Sequence, residues 1–425
     1  TNNDTSYIEV KRDDLQSNAE RDIKAMVERD KNAPCIFAWS TGNEIYDARY
    51  KHGENTLDML TGWIKEIDTT RPVAACPPTW DNYWANNAQQ EKHLAKAEMS
   101  GFNYATGQYD GAHSRYPNMV IFGSETVSAY YYRGVYFLEG EGSSDRCNEY
   151  PTYWTFSSAT ASLEAHRDKT YTAGEFVWTG FDYLGEPSPY DTDSWPNHSS
   201  MFGIIDLASL PKDRYYLYRS VWNKEAETLH ILPHWTWPGR EGEVTPVFVY
   251  TNYPTAELFI NGKSYGKQSK NNSSLKNRYR LMWMDTKYEP GEVKVVAYDK
   301  NGKAVAEKVV HTAGKPHHIE LVSNRNELTA DGKDLAYVTV KVVDKDGNLC
   351  PADNRQINFS VKGTGKYRAA ANGDPTNLEQ FHLPKMHAFN GMLTAILQAG
   401  ETAGEIVFTA KANGVKAGNI RIQTK

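Results

Sequence analysis

With 425 residues, 40% of them hydrophobic and 24% charged, the chain can build more than one core and reads as two or three globular domains. A formal net charge of −6 argues against nucleic acid or an anionic lipid surface as the main partner. No run approaches the roughly 20 apolar residues of a membrane-spanning helix.

From the N-terminus, Asp13 to Arg29 carries Leu15, Ala19, Ile23, Met26 and Val27 at helical spacing, and a strand-like run follows at Cys35-Ile36-Phe37-Ala38-Trp39. Thr56 to Ile67 is a second amphipathic helix leading to a short strand, Val73 to Cys76. Further strands are expected to end at Phe102-Asn103-Tyr104 and to cover Met119 to Gly123. Leu163 to Thr172 reads as a helix and Gly174 to Gly180 as the last strand of this part. Alternating strand and helix signals imply parallel strands, about five β/α units in all, where a closed (β/α)8 barrel has eight. Three units are therefore expected ahead of Thr1.

Beyond about Lys224 helical periodicity gives way to alternating β-branched strands separated by turns at Asn261-Gly262, Asn301-Gly302, Asp346-Gly347 and Asn372-Gly373. Val244 to Tyr250, Ala256 to Ile260 and Glu292 to Tyr298 belong to one β-sandwich. Ala336 to Asp344, Ile357 to Val361 and Gly404 to Lys411 belong to a second. Each module has about the 100 residues of an immunoglobulin-like sandwich. The expected fold is thus α/β plus all-β: the C-terminal part of a (β/α)8 TIM barrel over residues 1–223, a β-sandwich over 224–314 and an immunoglobulin-like sandwich over 315–425.

The four cysteines, Cys35, Cys76, Cys147 and Cys350, fit no metal-ligand spacing. Cys35 and Cys76 lie in apolar runs and read as buried thiols. His113, His166 and His198 have no partner spacing that suggests a metal and read as structural. Aromatic residues make up 12% of the chain, with 27 Tyr and 11 Trp. An apolar face with a polar edge suits such side chains to stacking on sugar rings.

Two segments repeat one arrangement. Phe37-Ala38-Trp39-Ser40-Thr41-Gly42-Asn43-Glu44 and Val120-Ile121-Phe122-Gly123-Ser124-Glu125 each run from an apolar strand through small residues to a glutamate. At the C-terminal ends of barrel strands both carboxylates point into the mouth. Double-displacement glycoside hydrolysis needs such a pair: one acid protonates the leaving oxygen, and the other, ionised, attacks the anomeric carbon.

Ser40 to Glu44 resembles the acid/base motif of glycoside hydrolase family two, the β-galactosidase family. Gly101-Phe102-Asn103-Tyr104, Phe122 to Thr126, and Phe176-Val177-Trp178-Thr179-Gly180-Phe181-Asp182-Tyr183-Leu184-Gly185-Glu186-Pro187 follow in that family's order. Tyr250-Thr251-Asn252 and Glu257 to Gly262 carry a weaker likeness to its accessory domains. The resemblance implies Glu44 as acid/base and Glu125 as nucleophile. It implies Asn43 on the sugar 2-hydroxyl, Tyr104 on the nucleophile carboxylate and Trp178 under the terminal sugar. Asp81, in the aromatic loop Thr79 to Trp84, and Glu186 are further candidates for substrate contact.

The implied substrate is a β-galactoside glycan cleaved from its non-reducing end with retention. β-Glucuronidase and β-mannosidase activities share the scaffold and stand as alternatives. A non-catalytic carbohydrate-binding fragment, using Trp235, Trp237 and Trp283 as exposed platforms, is a third reading. No cofactor is required. Some members bind magnesium or sodium near the acid/base, with ligands partly from upstream barrel segments, so no metal site is assigned. Exported relatives suggest a periplasmic or secreted location. The chain is expected to pair with an N-terminal portion, to swap elements with a second copy to complete its barrel, or to be unstable alone.

Overall fold

The computed structural model describes residues 12–45, 48, 50–79, 88–129, 131–136, 159–187 and 195–425, with side chains described from residue 17 onward. These fall into two compact units, one within Thr1–Ser128 and Phe156–Trp178, the other within Ala129–Thr155 and Thr179–Lys425.

The first unit is a five-stranded sheet in the sequential order β1 (Trp39–Asn43), β2 (Val73–Cys76), β3 (Met99–Asn103), β4 (Ile121–Val127) and β5 (Thr172–Trp178). Every neighbouring pair is parallel. Helix α1 (Arg12–Asp30) precedes β1, and α2 (Gly53–Lys65), α3 (Ala88–Lys96), α4 (Tyr109–Arg115) and α5 (Ala159–Asp168) supply the four crossovers. Their apolar stripes pack on the sheet: Val27 and Ile64 close on Trp39 and Val73, while Leu94, Tyr109, Ala112 and Ala165 close on Phe102 and Ile121. Five sequential parallel strands with helical crossovers are the expected part of a (β/α)8 barrel.

On the concave side the sheet is open. Phe37 is 58% and Phe176 52% exposed, yet their rings stack 6.2 Å apart, and Phe122 meets Phe176 edge-on. A parallel sheet is ordinarily covered on both faces, and here Phe37 and Phe176 leave apolar surface exposed on one of them.

The second unit holds α6 (Asp213–Trp222) and two β-sandwiches. In the first, β6 (Leu229–Leu232), β7 (Val247–Thr251) and β10 (Leu281–Trp283) form one sheet. It faces a second made of β8 (Thr255–Ile260), β9 (Lys263–Ser269), β11 (Glu292–Tyr298) and β12 (Ala304–His311). Inward residues at alternate positions of one sheet, Ala256, Leu258, Ile260, Val293 and Val295, make the core with Val247 and Val249 of the other. The last sandwich pairs a four-stranded with a five-stranded sheet around Val338, Val340, Leu393, Leu397, Ile406 and Phe408. Glycines 262, 302, 347 and 373 all adopt positive φ, as the expected turns require.

Three expectations are corrected. The first strand begins at Trp39, not Cys35, and Cys35 is exposed. The run 35–38 joins no ladder, because the hydrogen bonds to β2 start only at Trp39. Trp235 and Trp283 are buried in the first sandwich, where their indole N–H groups donate to the carbonyls of Glu289 and Gly266, so they are core residues and not platforms. Helix α5 ends at Asp168, and Thr172 already opens β5.

Candidate active site

Two strand irregularities shape the concave face. Along β4, Phe102 and Asn103 of β3 lie opposite Gly123 and Glu125, which leaves Ser124 as an extra residue. The ladder to β5 shifts in the same stretch, between Gly123 and Thr126. Simple alternation after Phe122 and Ser124 would turn Glu125 away from the concave face. The bulge brings it back, so that Phe122, Ser124 and Glu125 all line one cavity. In β1 the register shifts between Ser40 and Asn43. Gly42 absorbs the shift at φ 140°, a conformation open essentially to glycine alone. The result sets Ala38, Ser40 and Asn43 on the same cavity.

Glu44 follows β1 directly, with φ 51°, and Tyr104 follows β3 with φ 54°. Non-glycine residues in this left-handed region cost backbone energy and recur at functional sites. Main-chain bonds to the next strand hold both: Glu44 N–H donates to the Cys76 carbonyl at 2.7 Å, and Tyr104 N–H to the Glu125 carbonyl at 2.8 Å.

The side chains converge in one network. Asn43 Nδ2 donates to Glu125 Oε1 at 2.6 Å, and the Tyr104 hydroxyl donates to Glu125 Oε2 at 2.6 Å. Asn103, fully buried, donates from Nδ2 to Glu44 Oε1 at 3.0 Å and to Asn43 Oδ1 at 3.1 Å. Its Oδ1 accepts from Ser124 Oγ at 2.6 Å, and its main-chain carbonyl accepts from Thr79 Oγ1. Asn103 thus joins the two glutamates. Each oxygen of Glu125 meets a donor, which suits the acceptor-only, ionised carboxylate.

Burial, and next to it the Glu125 carboxylate, pushes the Tyr104 hydroxyl far above the ordinary phenol range, so it stays a proton donor. The buried Cys76 thiol, beneath the same cavity, is also pushed up by burial.

The cavity has a volume of about 460 Å³ and is lined by Asn43, Glu125, Phe37, Phe122, Phe176 and Trp178 among others. Polar groups converging in an apolar concavity are the usual setting of a small-ligand site. The structure therefore brings Glu44, Glu125, Asn43, Tyr104 and Trp178 into one region of the first unit.

Glu186 belongs to the second unit, is exposed, and accepts from the Tyr183 hydroxyl. Asp81 lies outside the described residues. His113 stacks on Tyr171, His166 pairs with Tyr109, and His198 contacts the Pro196 carbonyl. Among the described residues no three His, Cys, Asp or Glu side chains are grouped to hold a metal ion, and no helix is long and apolar enough to cross a membrane.

Two residues escape sequence reasoning: Asn103, the hub, and Ser124, the bulge residue that bonds it. The one available signal is a polar residue ending an otherwise apolar strand, as in Gly101-Phe102-Asn103.

Comparison with known proteins places these features in a lineage. Residues 1–120 match the model "Glycosyl hydrolases family 2, TIM barrel domain", and residues 319–421 match "Glycoside hydrolase family 2 C-terminal domain 5". Residues 242–306 match a domain of unknown function, DUF4982. The chain is 35% identical to "Beta-galactosidase BoGH2A" of Bacteroides ovatus, an alignment covering 96% of this chain and 51% of that protein. It is 31% identical to a "Putative beta-glucuronidase" of Formosa agariphila over 83% of this chain and 35% of that protein. A solved family 2 glycosyl hydrolase from Bacteroides cellulosilyticus superposes with a TM-score of 0.80 at 28% identity, covering 96% of this chain and 51% of the other. The chain thus spans about half the length of the first of these relatives, and a third of the second.

Proposed function

Because the chain belongs to glycoside hydrolase family 2, we propose that it carries the two catalytic glutamates of a retaining exo-β-galactosidase. The supporting observation is the bond path from Glu44 through Asn103 and Asn43 to Glu125. It ties together two carboxylates presented by different strands.

In this reading Glu44, protonated, delivers its proton to the glycosidic oxygen while Glu125 Oε1 attacks the anomeric carbon from the opposite face. The C–O bond to the leaving group breaks as the bond to Glu125 forms. Tyr104, bonded to Glu125 Oε2, keeps the carboxylate aimed along the attack line. Asn43 exchanges its bond to Glu125 for one to the sugar 2-hydroxyl. Water, deprotonated by Glu44, then attacks the anomeric carbon and releases Glu125, giving net retention. Trp178 supplies an apolar surface at the cavity wall for the sugar face. Asp81 and Glu186 are proposed as outer contacts to hydroxyl groups.

The preference for galactose rests on the likeness to the Bacteroides ovatus β-galactosidase. A glucuronidase is the second reading, favoured by the Formosa agariphila relative. We further propose three modules, 1–223, 224–314 and 315–425. We also propose that barrel strands from outside these residues cover Phe37 and Phe176 and complete the pocket.

The test is hydrolysis of aryl β-D-galactoside, β-D-glucuronide and β-D-mannoside by the intact protein, with product anomers followed by NMR. Galactoside turnover with retained configuration, abolished in Glu125→Gln, is expected. An inverted product would sink the two-glutamate mechanism, and faster glucuronide turnover would replace the galactose assignment.

A further inference from the structure

Behind Glu125, on the face of β4 away from the cavity, lies a buried carboxylate that the proposed reaction does not use. Thr126 Oγ1 donates to Glu175 Oε2 at 2.8 Å, and Ser162 Oγ of α5 donates to the same oxygen. The Glu175 side chain is 3% exposed, and its Oε1 finds no hydrogen-bond partner among the described residues. His166 approaches Oε2 only to 3.6 Å, because its Nδ1 is engaged by the Ser162 carbonyl at 2.8 Å and its Nε2 by the Tyr109 hydroxyl at 3.1 Å. Packing alone does not call for a carboxylate here. Removing one from water is costly, and an apolar or amide side chain fills the same space without that cost.

What the carboxylate holds is the end of β4, where the backbone is least at ease. Val127 and Ser128 follow Thr126 with φ of 77° and 49°. Two consecutive non-glycine residues in the left-handed region, one of them β-branched, form an unusual and strained turn. It stays in register nonetheless: Thr126 pairs with Val177 and Val127 with Trp178, and Ser128 N–H donates to the Thr126 carbonyl at 3.1 Å. Directly before this turn, the Glu125 carbonyl accepts from the Tyr104 N–H at 2.8 Å, and the Tyr104 hydroxyl is the donor to Glu125 Oε2. Thr126 is therefore the joint between the bulge that aims Glu125 and the strained turn that follows it.

We propose that Glu175 is a positioning residue for the nucleophile. By holding the Thr126 hydroxyl from β5 it pins the strained turn, and with it the end of β4 on which Glu125 meets Tyr104. This inference rests on the reading of Glu125 as nucleophile. It adds a clamp on the opposite side of the strand, with no contact to substrate.

The test uses the intact protein and a 2-deoxy-2-fluoro-β-D-glycoside of the sugar the substrate panel selects. This probe glycosylates the nucleophile and is read as the labelling rate of the Glu125 peptide by mass spectrometry. Thr126→Val, nearly isosteric, and Glu175→Ala should each slow labelling roughly 10- to 100-fold, the range expected for a reacting group displaced by about 1 Å. Affinity for the free sugar should be unchanged. Glu175→Gln keeps an acceptor oxygen for both hydroxyls and should restore most of the rate. Wild-type labelling rates in Thr126→Val would overturn the inference while leaving the two-glutamate reading intact. So would equal losses in Glu175→Gln and Glu175→Ala, or sugar affinity falling in step with the rate. A wild-type protein labelled elsewhere than Glu125 would overturn both.

Discussion

Among the described residues Glu125 accepts from Asn43 and Tyr104, and Glu44 accepts from Asn103. A hydrogen bond to a charged acceptor, such as that from Tyr104 to Glu125, contributes about 1.5–3 kcal/mol. Tyr104→Phe removes the hydroxyl and little else. It should lower kcat for an aryl glycoside by roughly 10- to 100-fold with a small change in KM, the pattern of a contact needed mainly in the transition state. Steady-state kinetics on the purified variant check this. An unchanged kcat would mean that Asn43 alone aims the carboxylate. Asn103 is placed differently. It is buried and shared by both halves of the site, so its loss should act on both steps at once.

At the scale of single elements, the bulges in β1 and β4 do the aiming, and they depend on local conformation. A Cβ on Gly42 would stand 2.6 Å from Ile45 Cδ1, at a φ that side chains rarely adopt. Gly42→Ala should therefore destabilise the first unit by about 1–3 kcal/mol and reduce activity, measured by denaturant unfolding and by turnover. Such devices were only partly legible in the sequence. Glu44 and Glu125 stood out because each closes an apolar run, and Val73 to Cys76 and Glu292 to Tyr298 emerged as strands with their bounds intact. The start of β1 was misplaced because its apolar run precedes the ladder, while the paired residues Ser40 to Asn43 are small and polar. Helix α6 went unseen because its aromatic-rich sequence, Tyr215, Tyr216, Tyr218 and Trp222, shows no clean apolar stripe. Asn103 looked like a strand end until its side chain was seen to bond three others.

The first sandwich adds a titrating element of its own. His234 is half-buried, stacks on Trp237 at 4.0 Å, and accepts at Nδ1 from the Thr236 N–H, as a neutral ring does. Burial pushes its pKa down to about 3. The unfolded chain takes up a proton near pH 6.5 while the folded chain refuses it, so stability should fall as pH drops from 6.5 toward 3. Unfolding midpoints across that window should slope less in His234→Asn, whose Oδ1 can stand in for Nδ1. An equal slope would place the acid sensitivity elsewhere.

Across the whole chain, the longest-range connection within the second unit runs through Arg133. Its Nε donates to Asp206 Oδ2 at 2.6 Å, and its Nη2 to the carbonyls of Asn372 and Phe389 at 2.9 and 3.0 Å. Asn390 Nδ2 returns a bond to the Arg133 carbonyl at 2.7 Å. The Asp206 side chain has no exposure. Arg133→Ala would thus leave a buried carboxylate without its counter-charge and should cost about 3–5 kcal/mol of stability, read by chemical denaturation. Removing both charges in Arg133→Met with Asp206→Leu should recover much of that loss. Asn372 and Phe389 lie more than 200 positions from Arg133 along the chain, which is why no local pattern announced these contacts.

The Arg133 contacts also bear on how such genes can be recombined. The last sandwich looks like an exchangeable cassette, joined by a short linker near Gly314. Yet two of its main-chain carbonyls complete the solvation of an arginine that the chain lays down directly after β4. A foreign C-terminal module spliced in at that linker would arrive without those carbonyls in place. It would leave a cation and its aspartate partly undressed. Inheritance at this junction should therefore favour co-transmission of the segment that carries Arg133 and Asp206 with its own tail.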